Sequence, residues 1–293
     1  MLLSRDMPYD LPFDWGTRTY VMGIVNVTPD SFSGDGLYQD GDDVAAVVAW
    51  ARACEAAGAD LLDVGGESTR PGHAPVDERT ERARVIPAIR AIAAAVSIPI
   101  SVDTYKAAVA AAALQAGARL VNDVWALAAD PAMAGVVARA QVPVVLMHNQ
   151  EGTSYQDLVP DVIEALAARV SAAEAAGIAR ARIIVDPGIG FGKTAAHNLE
   201  LIDRLDELKV LGLPILLGAS RKRFIGRILG DARGDAPPEE RLEGTAAAVA
   251  VGIARGAGIV RVHDVAAIVK VARVTDAITR RATAPPRYHE KSN

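Results

Sequence analysis

The sequence predicts an α/β protein that is a single-domain (β/α)8 TIM barrel, and three observations lead to this prediction. Short runs of β-branched and other apolar residues alternate with Ala-rich segments of helical length along the 293 residues. We count eight such strand–helix units, and about 290 residues is an ordinary length for this barrel. Polar residues follow the strands at their carboxyl ends, and we interpret the strand interiors as nearly free of polar residues.

The predicted strands are short and almost continuously apolar, which is typical of strands covered on both faces. They are Tyr20–Val27, Leu61–Gly65, Ile98–Val102, Leu120–Val124, Val142–Met147, Ile183–Val185, Ile215–Leu217 and Ile259–Val262. The clearest helical segments between them are Asp42–Ala57, Val76–Val96, Lys106–Ala116 and Asp157–Ala176. We expect residues 1–18 to lead into the barrel, residues 19–283 to form it and residues 284–293 to be a tail. A doubly wound open sheet is the main alternative, but its usual G-x-G-x-x-G turn is missing from the sequence.

Composition limits the partners. The formal net charge is −5 and charged residues make up 23% of the chain, a balance that favours neither nucleic acid nor a membrane as a partner. We see no signal peptide and no apolar run of the roughly 18–20 residues that would span a bilayer. The single cysteine, Cys54, lies in a helical segment, which favours a buried, unreactive thiol. We therefore expect a cytoplasmic protein.

Polar side chains lie at the carboxyl end of every predicted strand. They are Asn26; Glu67, Thr69 and Arg70; Asp103; Asn122 and Asp123; His148; Asp186; Ser220, Arg221 and Lys222; and Arg261, His263 and Asp264. Any one of these could be a helix cap or a turn residue, and for Asp123 and Asp264 that alternative is as good as a functional role. A satisfied core histidine is at least as good a reading of His148 as a catalytic one. Together they predict a polar pocket of mixed charge at one end of the barrel.

The motifs around these residues resemble, in order, the signatures of the dihydropteroate synthase family. They are Met22–Phe32 (MGIVNVTPDSF), Asp63–Gly72 (DVGGESTRPG), Ser101–Thr104 (SVDT), Val121–Val124 (VNDV), Leu146–His148 (LMH), Asp186–Lys193 (DPGIGFGK), Gly218–Phe224 (GASRKRF) and Arg261–Val265 (RVHDV). The resemblance runs from the first predicted strand to the last. It implies condensation of 6-hydroxymethyl-7,8-dihydropterin pyrophosphate with p-aminobenzoate, assisted by Mg²⁺, in a homodimer that sulfonamides inhibit.

The resemblance also assigns the pterin pocket. A carboxylate can accept from two adjacent pterin N–H groups, and Asp186 matches that acceptor, with Asp103 and Asn122 as further pterin contacts. Lys222 would donate to the O4 and N5 side of the pterin, and Arg261 would lie over its ring. A structural ion pair of Lys222 with Asp186 or Asp103 is the alternative.

The remaining assignments concern the two other ligands. Arg261 and His263 are two residues apart and share a face of their strand. The resemblance places the following residues at the pyrophosphate: Asn26, Thr69, Arg70, Arg261 and His263. It places these at p-aminobenzoate: Phe32, Thr69, Pro71, Phe191, Lys222 and Ser220. Of all the residues assigned to the three ligands, Arg70, Asp103, Lys222 and His263 are the predicted catalytic groups. Asn26 is the predicted Mg²⁺ ligand.

Four positions and two other functions stay open. Arg221 and Arg223 are additional candidates for the p-aminobenzoate carboxylate, although some family members carry Ser in place of Arg223. The run SFSGDG displaces Asp35 by one place from the family pattern, so its role is not assigned, and neither is that of Gln150. A non-catalytic pterin-binding paralogue and a pterin-dependent methyltransferase are the alternative functions.

Overall fold

A computed structural model describes residues 11–28, 44–67, 75–232 and 234–280 of the chain. Its eight strands are parallel and lie in the order β6-β5-β4-β3-β2-β1-β8-β7. A parallel bridge between Val185 and Ile215 joins the sixth strand to the seventh, so the sheet closes on itself. The predicted barrel is confirmed. Several predicted site residues fall outside the described residues, namely Phe32, Asp35, Thr69, Arg70 and Pro71.

The strands are β1 Tyr20–Asn26, β2 Leu61–Gly65, β3 Ile100–Asp103, β4 Leu120–Asp123, β5 Val144–Met147, β6 Ile183–Asp186, β7 Leu216–Leu217 and β8 Ile259–Val262. The helices are α1 Val44–Ala57, α2 Glu78–Ala93, α3 Ala107–Ala116, α4 Met133–Ala140, α5 Leu158–Ala175, α6 Ala195–Asp203, α7 Arg223–Leu229, α8 Leu242–Arg255 and α9 Val265–Thr279. Between β7 and β8 the described chain therefore has two helices, α7 and α8, where one was expected.

Prolines explain why two strands begin later than predicted. β3 starts directly after Pro99 and β5 directly after Pro143, because proline has no N–H to donate to the sheet. Each proline still contributes its carbonyl oxygen, which accepts from the N–H of Leu62 at 3.0 Å and of Val121 at 3.1 Å, respectively.

Side chains alternate between the inside and the outside of the barrel, because successive residues of a strand point to opposite faces. Outward residues such as Val64 and Val102 pack in the core shared with the helices. The inward residues of the amino-terminal half form a separate apolar cluster: Tyr20, Met22, Leu61, Leu120, Val145, Ile184, Leu216 and Ile259. Phe13 stacks on Tyr20 with 4.0 Å between ring centroids, so the lead-in segment covers this end of the barrel.

The inward face of the barrel becomes polar two residues after the apolar cluster, towards the carboxyl ends of the strands. Asp63 follows Leu61 on β2 and is paired in register with Ser101 on β3, while Arg261 on β8 is paired with Met22 on β1. The interpretation that strand interiors are nearly free of polar residues was therefore wrong. The barrel interior has an apolar half and a polar half, and the polar half lies at the carboxyl ends of the strands.

The two ends of the barrel-forming chain are fastened together by side chains. Asp276 on α9 accepts from both the N–H and the hydroxyl of Thr19, each at 2.8 Å. Arg280 donates to Asp276 at 2.8 Å and to the carbonyl of Gly16 at 3.1 Å. These contacts supplement the backbone pairing of β1 with β8.

Two expectations from composition can be compared with the structure. Cys54 is buried in α1, so its predicted burial is confirmed. Burial raises the pKa of its thiol to about 11, which disfavours the reactive thiolate. Within the described ranges, every helix is too short or too polar to cross a bilayer.

Shortening one inward apolar side chain should destabilise the barrel. Leu120 is fully buried in the inner cluster, so Leu120→Ala should lower the free energy of unfolding by about 2–5 kcal/mol through lost burial and an unfilled cavity. Urea unfolding measures this. Val210→Ala, at a residue that is 75% exposed, is the matched control, and equal effects of the two substitutions would contradict the assigned inner layer.

Candidate active site

Arg261 is the centre of the polar half of the barrel. Its Nε donates to Asp63 Oδ2 at 2.5 Å and its Nη2 donates to Asp103 Oδ2 at 2.9 Å. Asn122 Nδ2 donates to the same Asp63 oxygen at 2.9 Å. The strands β2, β3, β4 and β8 thus place three of the predicted pterin residues, Asp103, Asn122 and Arg261, around one buried carboxylate.

Asp63 is a site residue that sequence reasoning missed. It is fully buried, and it holds both Arg261 and Asn122. The sequence does carry a signal, because Asp63 is two residues after the apolar Leu61 and therefore shares its inward face. The prediction considered strand ends alone, whereas Asp63 lies in the middle of β2.

Several buried polar atoms around this network form no hydrogen bond. Within the described part of the chain, Asp63 Oδ1, Ser101 Oγ and Asp103 Oδ1 are buried without a hydrogen bond. A buried polar atom without a partner costs about 1–3 kcal/mol. Two of the three atoms are carboxylate oxygens, so this part of the interior is suited to a ligand that presents N–H or O–H groups.

Burial and charge together set the protonation of these groups. Burial raises the pKa of Asp103 to about 7; the charge of Arg261 opposes this shift and that of Asp63 adds to it. Burial lowers the pKa of Arg261, but the charges of Asp63 and Asp103 outweigh this effect and raise it. Arg261 is therefore a permanent cation between two carboxylates, one of which can change its protonation near neutral pH.

Asp186 lies at the end of β6 and is buried. Its Oδ1 accepts from the N–H of Gly188 at 2.7 Å. The pKa of Asp186 is raised overall, because burial outweighs the positive charges of Lys222, Lys193 and Arg261, which act to lower it. Asp186 therefore belongs to the same electrostatic environment as the Arg261 network.

Lys222 completes this environment. Burial lowers its pKa to about 8, while the charges of Asp186 and Asp103 raise it and that of Arg261 lowers it. Its Nζ donates to the carbonyl oxygen of Ile189 and lies 4.4 Å from the ring centroid of Phe191. A Cβ on Gly190, whose φ is +84°, would lie 2.8 Å from Lys222 Cδ, so only glycine fits there without displacing the lysine.

Among the described groups expected at the pyrophosphate, Asn26 ends β1, Arg261 lies on β8 and His263 directly follows β8. Ser220 Oγ is 2.9 Å from His263 Nδ1 and accepts from the backbone N–H of His263 at 3.1 Å. Asn26 is the last residue of β1, half-buried and opposite Gly65 in the register. Ser220, expected at p-aminobenzoate, therefore lies against His263, expected at the pyrophosphate.

Two arginines that we considered for the substrate carboxylate are engaged elsewhere. Arg221 binds Asp264 with two parallel bonds, Nε at 2.9 Å and Nη2 at 2.7 Å. The side chain of Arg223 is 75% exposed and pairs with Asp235 at 3.0 Å. Both roles at the carboxylate stay predictions, with Arg221 held by Asp264 and Arg223 exposed at the start of α7. Asp264 is the N-cap residue of α9, but its side chain forms no capping hydrogen bond and binds Arg221 instead.

Three other strand-end residues have structural partners. Asp123 accepts from the N–H groups of Trp125 at 2.8 Å and Leu127 at 2.9 Å, so its interpretation as a turn residue is confirmed. Glu67 forms an ion pair with Lys106, which also binds Glu81 at 2.5 Å. His148 is buried and lies 2.9 Å from Lys193 Nζ, as expected for a satisfied histidine.

Comparison with known proteins identifies the family of this barrel. The profile of the pterin-binding enzyme family matches residues 22–263. A dihydropteroate synthase of Bacillus subtilis is 50% identical over 261 residues, which cover 89% of each chain. The chain belongs to this family. Its resemblance at the motifs is therefore part of a similarity that extends through the whole barrel.

Solved structures of dihydropteroate synthases have the same fold. The enzyme from Clostridium difficile, determined in the presence of pteroic acid, has a TM-score of 0.86 and 48% identity over 92% of this chain and 99% of that one. The enzyme from Yersinia pestis, in complex with a sulfonamide drug, has a TM-score of 0.84 and 38% identity over 96% and 99%.

Stability should depend on pH through Asp103. Its pKa of about 7 in the folded chain lies above the ordinary value of 3.8, so the folded state binds the proton more tightly and loses stability as pH rises between these values. Asp103→Asn cannot ionise, and its free energy of unfolding should fall less from pH 4 to pH 8 than that of the wild type. Urea unfolding across this range is the measurement.

The exposed Asp203, which pairs with Arg255 at the surface and has a side chain 70% exposed, provides the control Asp203→Asn. This variant should retain the pH dependence of the wild type. Parallel curves for the wild type and Asp103→Asn would show that Asp103 carries no raised pKa.

Proposed function

We propose that this chain catalyses the condensation of 6-hydroxymethyl-7,8-dihydropterin pyrophosphate with p-aminobenzoate to 7,8-dihydropteroate and pyrophosphate, a step of folate biosynthesis. The amine nitrogen forms a bond to the pterin methylene carbon, the bond from that carbon to the pyrophosphate oxygen breaks, and the amine loses a proton. The observation that carries the proposal is the polar interior, where buried carboxylates with unsatisfied oxygens lie beside cations. The names of the similar enzymes support it.

The acceptors suit a pterin. Its 2-amino group and the neighbouring ring N–H form a donor pair, which a carboxylate accepts in bidentate geometry. Asp186 is the proposed acceptor, and Asp103 and Asn122 are proposed further contacts. Lys222 would donate to the O4 and N5 side, and Arg261 would lie against the ring. Because Asp63 already holds Arg261 and Asn122, these side chains are oriented before the ligand arrives.

The proposed route is dissociative. Arg261 and His263 would bind the leaving pyrophosphate together with Asn26, Thr69 and Arg70, so that its developing charge meets hydrogen-bond donors. The electron-rich dihydropterin stabilises the methylene that remains. The aniline nitrogen is already nucleophilic, so the SN1-like substitution needs no strong base. Of the named residues, Arg70, Asp103, Lys222 and His263 are the proposed catalytic groups.

Phe191, Lys222 and Ser220 are the proposed contacts of p-aminobenzoate among the residues that the structure describes. The Phe191 ring already lies against the Lys222 ammonium, which leaves an aromatic edge and a cation for the second substrate. Ser220 is a proposed hydrogen-bonding partner. The same set includes Phe32, Thr69 and Pro71.

Mg²⁺ fits this site as a partner of the substrate. Asn26 offers a hard amide oxygen at the end of β1, and Mg²⁺ commonly takes its other ligands from phosphates and water. Within the described ranges no group of three or more His, Cys, Asp or Glu side chains could hold a metal. Bound to Asn26 and the pyrophosphate, Mg²⁺ would neutralise negative charge on the leaving group.

The proposal extends to the assembly, the inhibitors and the compartment. Three apolar side chains on the contacting helices α8 and α9 are exposed, Val251, Val274 and Ile278, and such a surface favours a homodimer. Light scattering should give twice the chain mass.

Sulfonamides should compete with p-aminobenzoate, as the complex of the Yersinia pestis enzyme suggests. The single buried thiol of Cys54 suits the cytoplasm.

Pyrophosphate release tests the reaction directly. Release should require both substrates and Mg²⁺, should stop on chelation with EDTA, and should fall as sulfamethoxazole rises. A pterin-dependent methyltransferase or a non-catalytic pterin-binding paralogue would bind the pterin without releasing pyrophosphate in a p-aminobenzoate-dependent manner. That outcome would overturn the proposal.

Asp186→Ala should abolish binding of the pterin pyrophosphate. Two donors of the ligand would lose their acceptor, at about 1–3 kcal/mol each. Calorimetry measures the affinity, and Asp203→Ala, at an exposed side chain, is the matched control. Because Asp186 also accepts from Gly188, Asp186→Asn provides a variant of the same shape. Unchanged affinity in both Asp186 variants would exclude the assigned acceptor.

A further inference from the structure

The loop between β6 and α6 is held through its carbonyl groups by two lysines. Lys222 donates to the carbonyl of Ile189, and Lys193 Nζ donates to the carbonyl of Phe191 at 2.9 Å. The hydroxyl of Tyr155 donates to the carbonyl of Gly192 at 2.8 Å. The backbone around Phe191 is therefore fixed by side chains from the loop itself and from the neighbouring segments after β5 and β7.

Lys193 also binds a buried histidine. Its Nζ lies 2.9 Å from His148 Nδ1. While Lys193 is charged, its ammonium group has no acceptor, so Nδ1 accepts and His148 is neutral with its proton on Nε2. The pKa of His148 is lowered to about 4, mainly by burial and to a smaller extent by the charge of Lys193. This agrees with a neutral His148.

The loop also packs closely on the backbone after β5. A Cβ on Gly188 would lie only 1.9 Å from the carbonyl oxygen of His148. Lys193 thus joins two segments that are already in contact, the His148 segment and the loop that carries Phe191.

The charge of Lys193 is itself adjustable. Burial lowers its pKa to about 7; the charge of Asp186 raises it and that of Lys222 lowers it further. The ring of Tyr155 lies 6.0 Å from Nζ, and Asp161 acts electrostatically on both Tyr155 and His148. The hydrogen bonds from Lys193 to the loop are therefore strongest below neutral pH, where the lysine is charged.

We propose that Lys193 is a positioning residue for the aromatic amine, which it serves by fixing the Phe191 loop against His148. This inference rests on the proposed function, since it takes Phe191 as a contact of p-aminobenzoate. The pterin side has supports of its own: Arg261 holds Asp103 and Asp63 holds Asn122. Asp186 keeps the N–H of Gly188 and the charge of Lys222, both of which act on it more strongly than Lys193 does. Loss of Lys193 should therefore affect the second substrate more than the first.

The test is Lys193→Met, which keeps an unbranched chain and removes the donors. Its KM for p-aminobenzoate should rise about tenfold, the equivalent of roughly 1.4 kcal/mol, while calorimetry should give a Kd for the pterin pyrophosphate within about twofold of the wild type. The matched control is Lys270→Met at an exposed position of α9. Turnover by the wild type tests the proposed function separately.

A pH profile separates positioning from a general structural effect. From pH 6 to pH 8 the wild-type KM for p-aminobenzoate should rise as Lys193 loses its proton, whereas Lys193→Met should lack this rise. Asp103 and Lys222, with pKa values of about 7 and about 8, titrate in both proteins, so a rise of the same size in Lys193→Met would contradict the inference. Lys193→Arg, which stays charged, should hold KM low across the range and covers the case in which the Met variant fails to fold.

Two other outcomes would overturn the inference. One is an unchanged KM in a folded Lys193→Met. The other is an equal loss of affinity for both substrates, because that would place the effect of Lys193 in the barrel as a whole. If the wild type itself releases no pyrophosphate, the proposed function fails first.

Discussion

The ion-pair network of Arg261 is the interaction on which the polar half of the barrel depends. A charged group in the interior of a closed sheet loses its hydration, and several kcal/mol are lost unless a partner replaces the water. Arg261 lies between Asp63 and Asp103, so each charge has a partner, but two carboxylates face one guanidinium. Burial raises the pKa of Asp103, and the second carboxylate, Asp63, adds to that shift. Acceptor oxygens also stay unsatisfied, which favours a ligand rich in N–H groups.

The rest of the fold provides the rigid surroundings that such a network needs. The apolar inner cluster fills the amino-terminal half of the barrel, and the outward faces of the strands are packed under helices. Strand ends therefore cannot shift to relax the buried charges. The same rigidity orients Arg261 and Asn122 in advance, which lowers the entropy lost when a ligand binds.

Much of this arrangement was predictable from the sequence, and the exceptions have physical reasons. Asp186, Lys222 and Arg261 were found because they follow or end apolar runs within recognisable motifs. Asp63 was missed because the alternation within β2 was not applied to it. The pair of Arg221 with Asp264 joins residues 43 apart in the chain, a contact that local pattern does not encode. The partners of Lys193 were missed for the same reason, since His148 comes from another strand end.

The fastening of Thr19 to Asp276 has a consequence for synthesis on the ribosome. The contact joins residues separated by 257 positions, so it cannot form until nearly the whole chain has emerged from the exit tunnel. β8 emerges only slightly earlier, and until it does the apolar interior of the growing barrel stays open beside β1. The nascent chain therefore closes its barrel late, and the open side is exposed to aggregation until then.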